Sequence, residues 1–180
     1  MTSDRPQQGR YILREQHIAN RKTKGLLSRH KNAEPTSVLP GSLWADYFDT
    51  KTKKHEKIGF SYFISLEFEN LILSCPPKDV AYLSPAEYEL LAAVPVHGDR
   101  IRIFEDREWM REGLTLRPGD HVHIVKHVNI PDGTPAIVKY KGHLEGKIGI
   151  YFGLELLVSI VQYQTFLLHY SYLLPFHQQS

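Results

Sequence analysis

Few residues in this chain are of a type and spacing that could do chemistry. Cys75 is the only cysteine, which excludes an internal disulfide and a cysteine-based zinc site. A thiol nucleophile needs a neighbouring histidine, itself ordered by a third polar group. Cys75 lies between the apolar run Leu71-Ile72-Leu73 and Pro76-Pro77, a setting that reads as structural. Four histidines, His121, His123, His127 and His143, fall in one stretch, and the first two share a strand face. Zinc sites gather four ligands, with cysteines or carboxylates at defined spacing. These histidines read as solvent-facing, and no metal or cofactor is expected. The one pattern that suggests a surface for binding is Gly149, Tyr151 and Gly153. Glycine weakens a strand. Two glycines on the face of one aromatic ring would leave a shallow slot that a peptide backbone can approach closely. Bulges or barrel corners are the competing explanation.

Those glycines belong to a strand in which Ile148, Ile150, Phe152, Leu154 and Leu156 alternate with Gly149, Tyr151, Gly153 and Glu155, a period of two. Two further strands precede it, His121–Val125 and Ala136–Tyr140, joined by the turn Pro131-Asp132-Gly133. Upstream, Phe60, Tyr62, Ile64, Leu66 and Phe68 alternate with polar residues, and Leu71-Ile72-Leu73 makes a return strand after a turn at Glu69-Asn70. Ser84-Pro85-Ala86-Glu87 has the form of a capping box opening a helix, with Leu90, Leu91 and Val94 as its buried stripe. Arg100–Phe104 alternates like an edge strand, and Glu105 to Glu112 reads as a linker or short helix. Short strands with Gly/Pro turns indicate a small barrel or sandwich.

The net charge of +2 is too mild to argue for nucleic acid. Arg5, Arg10, Arg14, Arg21, Lys22, Lys24, Arg29 and Lys31 make the first 36 residues a basic arm, expected to be disordered with a transient helix around Arg10–Ala19. A single cysteine and no apolar leader fit a cytoplasmic location.

Ile137-Val138-Lys139-Tyr140-Lys141-Gly142, followed by Gly149-Ile150-Tyr151-Phe152-Gly153-Leu154-Glu155-Leu156, resembles the front half of a CAP-Gly domain. Leu116-Arg117-Pro118-Gly119-Asp120 suits that family's opening strand. Within it, the match resembles the N-terminal part of the cylindromatosis deubiquitinase family. Leu39-Pro40-Gly41-Ser42, Lys57-Ile58-Gly59 and Arg111-Glu112-Gly113-Leu114 extend the likeness upstream. The resemblance implies an incomplete SH3-like barrel over residues 113–157, preceded by a small α+β region over 37–112. It implies a non-catalytic module that binds a protein or peptide, such as a tubulin-like or signalling-adaptor tail, through Gly149, Tyr151, Phe152, Gly153 and Glu155. Tyr151 stands where the family has its groove tryptophan. The family's downstream lysine-containing loop, which recognises acidic C-termini, has no counterpart here, so tubulin-like tails are expected to bind weakly. No thiol-protease signature surrounds Cys75, so no deubiquitinase activity is expected.

The likeness stops at Leu157. From Leu156 to Leu174 there is no Lys, Arg, Asp or Glu. Val158-Ser159 has the form of a translated splice donor, and an unrelated tail over 158–180 is expected. The rival reading is a membrane anchor, since about 20 apolar residues span a bilayer. Ser159, Gln162, Gln164, Thr165, His169 and Ser171 weigh against it. With no charged gatekeeper in the segment, the tail is expected to stay loose and promote association.

Overall fold

The computed structural model describes residues 8–21, 35–47, 59–127, 129–157, 165–168, 170 and 173–175. The chain divides into two compact units, Met1–Ser84 and Pro85–Ser180, each built on its own antiparallel sheet.

The first unit has seven strands: β1 (Arg10–Leu13), β2 (His17–Arg21), β3 (Pro35–Val38), β4 (Leu43–Asp46), β5 (Ser61–Ser65), β6 (Leu71–Cys75) and β7 (Val80–Leu83). Their order across the sheet is β3-β2-β6-β5-β4-β1-β7. The expectation of a disordered arm with a transient helix is therefore corrected over Arg10–Leu13 and His17–Arg21. β1 lies between β4 and β7, with Tyr11 opposite both Trp44 and Tyr82. Tyr11-Ile12-Leu13 is a β-prone apolar triplet, and Ile12 and Leu13 are fully buried. That burial outweighs the basic composition around it. Residues 22–34 of the expected arm lie outside the described residues.

The alternating run at Phe60–Phe68 is shorter than its pattern suggests. Phe63 is buried and faces Leu73 of β6, while Phe60 and Phe68 are exposed. Ser65 Oγ accepts the amides of Glu67 and Phe68, which turns the chain away from the ladder. Asn70, at φ +57°, completes the expected turn. Leu13, Ala19, Val38, Trp44, Phe63, Leu71, Leu73 and Cys75 form the core.

The second unit begins with three helices, α1 (Pro85–Ala92), α2 (His97–Glu105) and α3 (Arg107–Thr115); α1 was expected, α3 falls largely where a linker or short helix was expected, and α2 replaces the edge strand expected at Arg100–Phe104. Five residues of alternating pattern do not separate the periods of helix and strand. Arg100, Ile103 and Phe104 are all buried, and this i, i+3, i+4 set belongs to a helix. Asp106 caps α3 by accepting the amide of Trp109 at 3.0 Å. Leu90, Leu91 and Val94 are fully buried, as the stripe on α1 predicts.

Five strands follow: β8 (His121–Ile124), β9 (Thr134–Gly142), β10 (Tyr151–Leu156), β11 (Thr165–Leu168) and β12 (Leu173–Pro175). Their order is β11-β10-β9-β8-β12. The chain is mainly β with three short helices, and neither sheet closes into a barrel among the described residues. The tail expected to stay loose instead supplies both outer strands of this sheet. Leu168 and Tyr170 are buried beneath it together with Leu173. No helix among the described residues is long and apolar enough to cross a membrane, and the segment weighed as an anchor, Leu156 to Leu174, holds β11 and the start of β12.

Candidate binding surface on the second sheet

The strands β9 and β10 set the residues of the expected peptide slot on opposite faces. Ala136, Val138, Phe152 and Leu154 are fully buried on the inner face. Tyr151, Gly153 and Glu155 alternate with them and so share the outer face. Across the ladder Tyr151 pairs with Gly142, and Gly153 pairs with Tyr140. The outer face thus carries two tyrosines, each opposite a glycine. The register then shifts between Gly153 and Leu154, leaving Lys139 unpaired in the ladder. The extra residue of this bulge is Lys139, on β9 opposite Gly153 and Leu154.

Tyr140 was not singled out from the sequence as a site residue. Its position opposite Gly153 becomes visible only once register and bulge are known. A Cβ at Gly142 would lie 2.6 Å from the Tyr140 hydroxyl oxygen and 2.9 Å from Cζ, so the ring lies against that glycine. The Tyr140 hydroxyl donates to the carbonyl of His143 at 2.6 Å, while 40% of the residue remains exposed. Glu155 joins the same face through an ion pair, Lys139 Nζ to Glu155 Oε2 at 2.7 Å.

Two expected peptide contacts have other duties. Phe152 is in the core, its ring 5.7 Å from that of Tyr170, so its side chain does not belong to the outer face. Gly149 precedes β10 and packs against α1. At φ +89°, a Cβ there would lie 2.4 Å from Ala93 N and 2.7 Å from Glu89 O. The adjoining Ile150 amide donates to Glu89 O at 2.9 Å. Close approach to a helix backbone, not an open slot, requires this glycine.

Lys141 turns inward beside Phe152. Its ammonium donates to the carbonyls of Gly113, Leu114 and Leu116 at 3.0, 2.7 and 3.0 Å. These are carbonyls at the C-terminal end of α3, which lack helical partners. Burial pulls the Lys141 pKa below the ordinary lysine value, and Arg117 adds to the effect.

The chemistry available elsewhere is limited. Cys75 is completely buried, and its thiol is pushed up to about 11 by burial and then by Asp79. Asp79 itself pairs with His17, Nε2 to Oδ2 at 2.9 Å. A carboxylate beside a buried thiol disfavours the thiolate, which is the opposite of nucleophile activation. No group of three or more His, Cys, Asp or Glu able to hold a metal ion occurs among the described residues. His121 and His123 stand on β8, and His143 Nδ1 lies 3.1 Å from Gly149 O.

Comparison with known proteins gives one relation. The ubiquitin carboxyl-terminal hydrolases CYLD of Bos taurus, Homo sapiens and Mus musculus are each 26% identical to the chain over 149 residues. The chain is similar to a part of CYLD. The aligned stretch covers 81% of this chain but only 15% of each CYLD sequence. No family model matches the chain, and no solved structure matches it. The similarity to CYLD supports relation to one region of a deubiquitinase.

Proposed function

We propose that this chain is a non-catalytic protein-interaction module of CAP-Gly type, related to a region of CYLD-like deubiquitinases. In this reading it holds an extended peptide against the outer face of its second sheet. The observation that carries it is the pairing of Tyr151 with Gly142 and of Tyr140 with Gly153. Tyrosine rings offer large contact area at low entropic cost, and the register sets Tyr140 and Tyr151 on one face.

The partner that fits is a signalling-adaptor type of tail more than a tubulin-like acidic one. Acidic C-termini need unpaired cations to replace their lost hydration. Both lysines of the motif are engaged, Lys139 by Glu155 and Lys141 by three carbonyls.

The test is selection of peptides from a random display library on the immobilised full chain, followed by calorimetry. A selected peptide should lose at least about tenfold in affinity with Tyr151→Ala and with Tyr140→Ala, the scale of an interface hot spot. Unchanged affinity in both folded variants would contradict the reading.

A further inference from the structure

Among the described strands the first sheet ends at β7, and Tyr82 on that edge is 61% exposed. It stands directly opposite Tyr11 in the ladder, the two rings 5.9 Å apart at 78°. Tyr11 meets the buried Phe63 at 5.1 Å. A Cβ at Gly9 would lie 2.6 Å from Asp46 Oδ2 and 2.8 Å from the Tyr11 hydroxyl oxygen, so both oxygens crowd round that glycine. Burial, and then a hydrogen bond to the Asp46 carboxylate, raise the pKa of the Tyr11 hydroxyl. Asp46 Oδ2 also accepts the Gly9 amide at 3.0 Å.

Two aromatic rings near a right angle with a carboxylate beside them are the parts of a cation site. Among the described residues the carboxylate is held by an amide and a phenol, both neutral, so its charge is not cancelled. The strand edge supplies a second element. Antiparallel partners alternate between bonded and non-bonded pairs, and Arg14 N donates to Asp79 O at 2.8 Å. In that register Ala81 and Leu83 bond to β1, while Val80 and Tyr82 turn their main-chain groups outward. The Val80 amide is taken by Pro77 O, which leaves the N–H and C=O of Tyr82 facing away from β1. β7 carries neither charge nor proline, the usual means of closing an edge. The opposite edge of the sheet, β3, begins with Pro35.

We propose that this edge takes an extended segment of another protein carrying one methylated lysine. The segment pairs with the main chain of Tyr82, and its alkylammonium lies against Tyr82 and Tyr11 beside Asp46. Strand addition supplies the affinity and the side-chain site the specificity. Methyl groups lower the hydration of the ammonium and favour aromatic walls over water. Arg14 and Lys78 stand at the start of β7 and oppose a second basic residue in the segment. A tyrosine pair that only joins β1 to β7 predicts no preference for charge. The site lies in the first unit and does not depend on the role given to the second sheet.

The probe is a seven-residue peptide of threonine and valine with trimethyl-lysine at its centre, titrated into the isotopically labelled full chain. One control replaces the trimethylammonium by a neutral tert-butyl group, and another methylates the main-chain nitrogen of the lysine. Amide shifts should centre on Ala81, Tyr82 and Leu83. The charged peptide should bind about three- to fivefold tighter than the neutral one, the scale of an exposed cation–π contact. Tyr82→Leu should remove that preference, Tyr82→Phe should keep it, and methylation of the main chain should abolish binding. Equal affinity of the charged and neutral peptides overturns the proposal, as does a preference that survives Tyr82→Leu, or the absence of shifts at β7 with millimolar peptide. Retention of the chain on phosphatidylcholine vesicles without binding of the peptide assigns the site to a lipid headgroup and overturns it as well.

Discussion

Lys141 Nζ stands 2.7 Å from the carbonyl oxygen of Leu114, and this contact ties β9 to the last turn of α3. Two further carbonyls, of Gly113 and Leu116, accept from the same ammonium. Removing the donor leaves partly buried acceptors with nothing to replace it. Lys141→Met keeps the length and apolar stem, and should lower stability by about 1.5–3 kcal/mol, the range for hydrogen bonds to charged groups. Urea unfolding of the two chains measures it.

Gly149→Ala separates a packing role from a binding role. The backbone is left-handed there, at φ +89°, and the new Cβ would meet the main chain of Ala93 and Glu89. Backbone strain of this kind costs about 1–3 kcal/mol by itself, and the contact with α1 adds to it. The melting temperature should fall clearly. A variant as stable as the natural chain would show that the loop does not dock on α1.

How much of this was legible in the sequence depends on the range of the interactions involved. The turn at Pro131-Asp132-Gly133 and the helix after Ser84 are local signals and stand where the residues put them, whereas β10 covers only the Tyr151–Leu156 part of the alternating run, with Ile148 exposed ahead of it. Gly149 and Gly153 were legible as exceptional, but not for the right partner. One meets a helix more than fifty residues earlier, and the other sits at a bulge set by the register against β9. Lys141 and Tyr170 take their roles from α3, which no local pattern reveals. The basic arm misled because composition was averaged over many residues, whereas Tyr11, Ile12 and Leu13 act as a triplet between two strands.

Stability should fall at alkaline pH for an identifiable reason. The Cys75 thiol is raised from 9.0 to about 11, first by burial and then by Asp79. The unfolded chain therefore loses this proton before the folded one does. The stabilisation is complete below about pH 9 and is lost as pH rises to about 11, amounting to about 2–3 kcal/mol. Tyr170, raised by burial, acts in the same direction. Lys141, lowered by burial, acts in the opposite one, so Lys141→Met should steepen the alkaline loss. Cys75→Ala should flatten it. Denaturation curves at intervals across this range decide both slopes.

The chain cut after Leu157 should aggregate more than the full chain. Removing β11 and β12 exposes the edges of β10 and β8, and unpaired edges promote association. This reverses the outcome expected from the uncharged composition of the tail alone. Light scattering at equal concentration measures it, and a better-behaved truncated chain would show that the tail is not part of the sheet.

The central claim is that the outer face of β9 and β10 is a peptide-binding surface. Amide chemical shifts of the isotopically labelled full chain, followed while a library-selected peptide is added, test it most directly. The shifts should concentrate at Tyr140, Gly142, Tyr151 and Gly153, and extend to Glu155 as its pairing with Lys139 is disturbed. Shifts confined to other strands, with these five residues unmoved at saturation, would contradict the account.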